Sequence, residues 1–150
     1  MNPVTKSIVV NRKVAACYAL WSDFDSLPYF MKYIRSVART DELTSHWVMS
    51  GPLDVNVEWD AIITNKVRNE MISWKSTGGD VETWGQVAFT AMSPTETLVT
   101  TTVHYAVPYG KAGEWLAKIF HDPDRVVEQD LENFKKYAEA KTAVGSGGSL

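Results

Sequence analysis

The stretch VNVEWDAIIT, residues 55–64, decides the fold. Side chains of an extended strand alternate between two faces. Val55, Val57, Trp59, Ala61 and Ile63 therefore share one face, and Asn56, Glu58, Asp60, Ile62 and Thr64 share the other. Burying an unpaired carboxylate costs several kcal/mol. The apolar set must then face a core, and Glu58 and Asp60 must face water. Two acids two residues apart could serve as a general acid and base, but here they sit opposite any interior chemistry. The alternation predicts an amphipathic strand of an antiparallel sheet with one wet face.

The same period runs on both sides of it. Strands are predicted over 4–10, 33–40, 44–50, 54–65, 70–76, 84–91 and 96–106. Turn residues punctuate them: Thr40-Asp41-Glu42, Gly51-Pro52, Arg68-Asn69-Glu70, Gly78-Gly79-Asp80 and Ser93-Pro94. Such short connections imply an antiparallel meander. Further in-facing sets are Ile72, Trp74 and Ser76; Val87, Phe89 and Ala91; and Val99, Thr101, Val103 and Tyr105. In SHWVMS (45–50), Trp47 and Met49 oppose His46 and Val48. The pattern leaves the facing open, with the larger pair expected inside.

Helical spacing flanks the sheet. After Asn11, a good N-cap, Val14, Cys17, Tyr18 and Trp21 recur at helical intervals. A short second helix is expected around Leu27, Tyr29 and Phe30. Near the end, Leu116, Phe120, Val127, Leu131, Phe134 and Ala138 form one apolar stripe. Pro123 interrupts it, with Asp122 as N-cap and Pro123 at the first helical position. The stripe keeps phase, which favours one long bent element. At 1.5 Å per residue, about 30 residues span roughly 45 Å, enough to cross a sheet.

Strand, two short helices, six strands and a long helix define an α+β arrangement. An antiparallel sheet of about seven strands wraps the C-terminal helix. The 150 residues fit one domain over 1–141, with 142–150 a flexible tail or appended linker of Gly/Ser composition. Pockets form readily between such layers. The predicted cavity wall is Trp47, Met49, Val57, Trp59, Ala61, Ile72, Trp74, Val87, Phe89, Thr101, Val103, Tyr105, Leu116, Phe120, Val127 and Leu131.

Composition excludes several functions. The net charge is −3, and MKYIRSVAR (31–39) is the one basic cluster, so nucleic acid is not an expected partner. A single cysteine, Cys17, precludes an internal disulfide. No run approaches the ~18 apolar residues of a membrane span, and the N-terminus lacks a signal layout. A cytoplasmic location is expected. His46, His104 and His121 lack metal-ligand spacing. A helix cap accounts for Asp122 and Asp124 beside His121, so no metal is expected. No phosphate loop or serine-nucleophile elbow occurs, and no cofactor is implied.

Four segments carry a family likeness: LWSDFDSLPYFMKYIRSV (20–37), SHWVMSGPLDVNVEWDAII (45–63), ISWKS (72–76) and IFHDPDRVVEQDLENFKKYAE (119–139). Together with the element order they resemble the START-like (SRPBCC) superfamily and, within it, the polyketide cyclase/dehydrase group. The likeness spans about residues 4–140. It implies a helix-grip fold with a cavity, and it places Leu27, Tyr29, Phe30 and Met31 as a lid. It carries no shared catalytic motif. Three functions follow as expectations. The first is binding of a hydrophobic or aromatic small molecule: a lipid, a quinone or a polyketide-like compound. The second is a cyclase, aromatase or dehydratase, with Tyr105 donating a proton and Arg35 polarising a carbonyl, and with Asp23 and Tyr29 as further candidates. The third is a protein- or membrane-associated partner using the surface of 27–39 or the late helix.

Overall fold

The computed structural model describes residues 3–50, 56–106 and 122–145. Strand β1 (Val4–Val10) leads into helix α1 (Val14–Ser22) and a 3₁₀ turn (Phe24–Tyr29). Six strands follow: β2 (Ile34–Arg39), β3 (Thr44–Ser50), β4 (Asn56–Val67), β5 (Met71–Gly79), β6 (Glu82–Ser93) and β7 (Glu96–Ala106). Helix α2 (Pro123–Gly145) completes the described chain. This is the expected helix-grip α+β fold, with seven antiparallel strands and two short helical elements after the first. The order across the sheet is β1-β7-β6-β5-β4-β3-β2. The meander is local, but β1 pairs with the far end of the chain, Val4 opposite Val103 and Val10 opposite Thr97.

The faces follow the alternation. Val57, Trp59, Ala61 and Ile63 are buried on β4, and Trp47 and Met49 on β3. Register shifts fall between Asp60 and Ala61 and between Ile63 and Asn65 in the β4–β5 pairing. The shift on β4 itself comes after the last in-facing residue, so it leaves the buried set intact. Gly79 adopts φ +117°, and its α-carbon lies so close to β4 that an added Cβ would stand 2.5 Å from the Trp59 α-carbon. Gly85 makes room for an indole: a Cβ there would stand 2.6 Å from the Trp74 ring.

Helix α2 begins as the Asp-Pro pair predicts. Asp122 Oδ1 accepts the Arg125 N–H at 3.3 Å, and Pro123 occupies the first turn, where an N–H would go unused. Leu116 and Phe120, and with them the expected continuation before Pro123, lie outside the described residues, as does His121. Leu131, Phe134 and Ala138 are buried, and Phe134 packs 4.9 Å from both Trp21 and Phe30. The outer flank of α2 is tied to β1. Lys6 pairs with Glu128 at 3.1 Å, and Lys135 donates to the Val9 carbonyl at 2.9 Å.

One cap differs from expectation. α1 starts at Val14, with Lys13 in the capping position and no side-chain cap. Asn11 instead gives its backbone N–H to Glu139 Oε2 at 2.9 Å. The helix thus starts two residues beyond the position that Asn11 would cap.

Candidate functional site

Three tryptophans from neighbouring strands lie side by side on the concave face. Trp47 and Trp59 stand opposite each other across β3 and β4. Their rings stack at 5.7 Å, and Trp47 stacks on Trp74 at 6.4 Å. Phe24, from the 3₁₀ turn, meets Trp47 and Trp74 edge-on. Above this layer, between sheet and α2, lies a cavity of about 50 Å³. That is room for a few waters at ~10–15 Å³ each.

Of the predicted wall, Trp47, Met49, Trp59, Trp74, Thr101, Val103, Tyr105, Val127 and Leu131 line the cavity. Val57, Ala61, Ile72, Val87 and Phe89 face inward but pack into the core; Phe89, for example, abuts Tyr18 at 5.8 Å. They share a face with the cavity; Phe89 is covered by Tyr18 and Trp21 of α1. Of the predicted lid, Met31 lines the cavity. Leu27 and Phe30 are buried plugs, and Tyr29 is 74 % exposed, stacked on Tyr137 at 5.8 Å.

Three of the catalytic candidates point elsewhere, the exposed Tyr29 among them. Arg35 is exposed at an irregularity of β2, where its Nη1 reaches Asn56 Oδ1 at 3.5 Å. Asp23 is exposed and accepts the Ser26 hydroxyl at 2.7 Å, holding the 3₁₀ turn. Tyr105 does line the cavity, and burial, helped by the charge of Asp130, raises its phenol pKa.

Residues unforeseen in the sequence complete the wall: Trp21, Tyr33, Ile34, Thr83, Val126 and Asp130. Asp130 is the notable one. It stands four residues after Val126 and four before Phe134, an acid in an apolar row of the helix, and that spacing was the available signal. Its Oδ1 accepts the Lys32 backbone N–H at 3.1 Å. Burial pushes its carboxyl pKa up to about 7, against the lowering influence of that bond and of the Lys32 charge. Three residues on, Asn133 donates to the Phe30 carbonyl at 3.2 Å. The two side chains clamp segment 30–33, which carries Met31 and Tyr33, onto α2. Outside the clamp, an open polar hollow of about 300 Å³ shares Tyr33, Val126 and Asp130 with the cavity, placing Asp130 at the boundary between the two.

Glu58 and Asp60 lie on the outer face, as the alternation requires, but they are not merely solvated. His46 sits between them, Nε2 at 2.8 Å from Glu58 and Nδ1 at 2.8 Å from Asp60.

A helix-grip domain with an aromatic-walled chamber between sheet and C-terminal helix is thus the class of protein that fold and site define. Residues 10–135 match the family described as polyketide cyclase / dehydrase and lipid transport, and the chain belongs to that family. An uncharacterised 17.2 kDa protein of Streptomyces lincolnensis is 33 % identical over 144 residues, covering 94 % of this chain and 92 % of that one. Among solved structures, DR_A0006 of Deinococcus radiodurans is similar at 26 % identity and a TM-score of 0.73, covering 93 % of this chain and 99 % of that one. The ZhuI aromatase/cyclase of Streptomyces sp. R1128 shares the fold at 13 % identity and a TM-score of 0.76, over 99 % of each chain.

Proposed function

We propose that the chamber binds a hydrophobic small molecule with an aromatic or polyketide-like body. The observation that carries this is the wall itself: the cavity-lining indoles of Trp21, Trp47, Trp59 and Trp74 converge on one space between layers. Aromatic walls with few polar points favour flat apolar ligands. The space is small as it stands, so a ligand larger than a few waters enters with movement of segment 30–33. Native mass spectrometry of freshly purified protein, followed by solvent extraction, tests this. A co-purifying lipophilic molecule is expected. Absence of any bound species, together with no thermal stabilisation by a panel of aromatic compounds, would count against it.

Asp130 favours a second reading, catalysis of proton transfer next to a carbonyl. A carboxyl with its pKa near 7 at a cavity wall is matched to a general base. Tyr105, in the same wall with a raised pKa, keeps its proton and suits a donor role toward an oxygen. The test is deuterium exchange at the α-carbons of 2-tetralone in D₂O. Exchange should rise as pH passes about 7, because the base must be ionised, and Asp130→Asn should abolish it. Exchange no faster than in buffer at any pH would remove Asp130 as a general base and with it this second reading.

A further inference from the structure

Among the described residues, three buried side-chain polar atoms have no hydrogen-bond partner: Trp21 Nε1, Trp59 Nε1 and Thr101 Oγ1. Their residues are 1 %, 2 % and 3 % exposed, and come from α1, β4 and β7. All three line the same cavity. Comparable groups nearby are satisfied. Trp47 donates its indole N–H to Ser45 Oγ at 2.9 Å. Thr83 donates to the His104 carbonyl and Thr97 to the Arg12 carbonyl, both at 2.7 Å. Buried polar groups are nearly always paired, and exceptions call for a cause.

The chemistry of the three atoms is one-sided. An indole N–H only donates, and a hydroxyl can do either. A partner that satisfies both indoles must present lone pairs. From this we propose that Trp21, Trp59 and Thr101 form a donor set that selects ligands carrying a carbonyl oxygen on an apolar body, that is, hydrophobic ketones or quinones over hydrocarbons of the same shape. The inference rests on the binding function above and names the group the cavity recognises. A site built to donate a hydrogen bond discriminates against an analogue lacking the acceptor, because its donors stay buried and unpaired.

The test uses two probes of one shape, acetophenone and α-methylstyrene, which differ as C=O and C=CH₂. Affinities are measured for the wild-type chain and for Trp21→Phe, Trp59→Phe and Thr101→Val. Indole N–H resonances are followed by ¹H–¹⁵N NMR on the wild type, which needs no variant to fold. Acetophenone should shift the Trp21 or Trp59 indole N–H downfield, and α-methylstyrene should not. The affinity ratio of ketone to hydrocarbon should fall about tenfold in at least one variant. If both probes bind but the ratio is the same in all four chains and the indole resonances respond alike, the donor set has no such role, while the cavity still binds. If waters alone satisfy these groups, that same result appears. If neither probe binds, the binding function falls and this inference falls with it.

Discussion

His46 shows how a single residue changes the meaning of two others. On the outer face it bridges Glu58 and Asp60. The hydrogen bonds to Glu58 and then Asp60 raise its pKa above the ordinary value of 6.5. A raised histidine pKa contributes stability that is fully present below the unfolded value of about 6.5 and is lost as pH rises through the folded value. His46 is 38 % exposed at its side chain, so solvent screening limits the contribution to about 1 kcal/mol or less. An NMR titration should give a midpoint above 6.5, returning toward it in Glu58→Gln/Asp60→Asn; an unshifted wild-type midpoint would rule the bridge out in solution. Gly78 and Gly79 offer a second, matched contrast. A Cβ at Gly78 meets nothing within 4 Å, whereas at Gly79 it meets backbone at 2.5 Å with φ at +117°. Gly79→Ala should cost about 2 kcal/mol or more in urea unfolding. Gly78→Ala should stay within about 0.5 kcal/mol. Equal costs would show that β5 relaxes away from β4.

At the scale of elements, α2 both closes the core and holds the cavity's edge. Asp130 binds the Lys32 N–H, and Asn133 binds the Phe30 carbonyl. Burial raises the Asp130 pKa from an ordinary 3.8 to about 7. Between those values the folded chain keeps a proton that the unfolded chain has lost, so this residue's contribution falls as pH rises through that window. Asparagine keeps the acceptor and removes the charge. Asp130→Asn should therefore match the wild type near pH 4. At pH 8 it should be more stable by on the order of 2 kcal/mol, allowing for partial exposure. A pH-independent difference between the two chains would place the carboxyl's pKa near its ordinary value. Asn133→Ala leaves Phe30's carbonyl unpaired, and amide exchange of residues 30–33 should quicken while that of β4 does not.

For the molecule as a whole, one aromatic junction ties the helical elements together. Phe134 of α2 meets Trp21 of α1 and Phe30 just after the 3₁₀ turn, and it is completely buried. Phe134→Ala should cost about 3–5 kcal/mol through lost burial and a cavity. Because Trp21 also meets Phe89 of β6 at 6.5 Å, the junction joins α2 and α1 to the sheet, and unfolding should remain a single transition by both far-UV signal and tryptophan fluorescence. Tyr29→Ala, removing a side chain 74 % exposed, should change stability by less than about 1 kcal/mol. Two separated transitions in Phe134→Ala would show that α2 docks independently of the sheet.

Strand identity and facing were legible because both are local. Alternation in VNVEWDAIIT and its neighbours is a two-residue period, and it placed Trp59 and Trp74 on the inner face without knowledge of the partner strand; for Trp47 the pattern left the face open, and only the size of the side chain favoured the inside. The Asp122-Pro123 start of α2 was legible for the same reason, since a cap and its helix are adjacent in sequence. Membership of the cavity was not legible. Trp74 and Phe89 both face inward, yet one lines the space and the other packs away, because Tyr18 and Trp21 of the distant α1 cover Phe89. Nor could alternation join His46 to Glu58 and Asp60, or β1 to β7, since each depends on register between separate strands. Asp130 looked like an ordinary helix acid until α2 was laid against segment 30–33. The sequence by itself determined the period and apolar face of each element. The tertiary structure decided which of those faces meet, which donors are left unpaired, and where one carboxyl is pressed against an aromatic wall, because contacts across long chain separations set burial and, through it, charge.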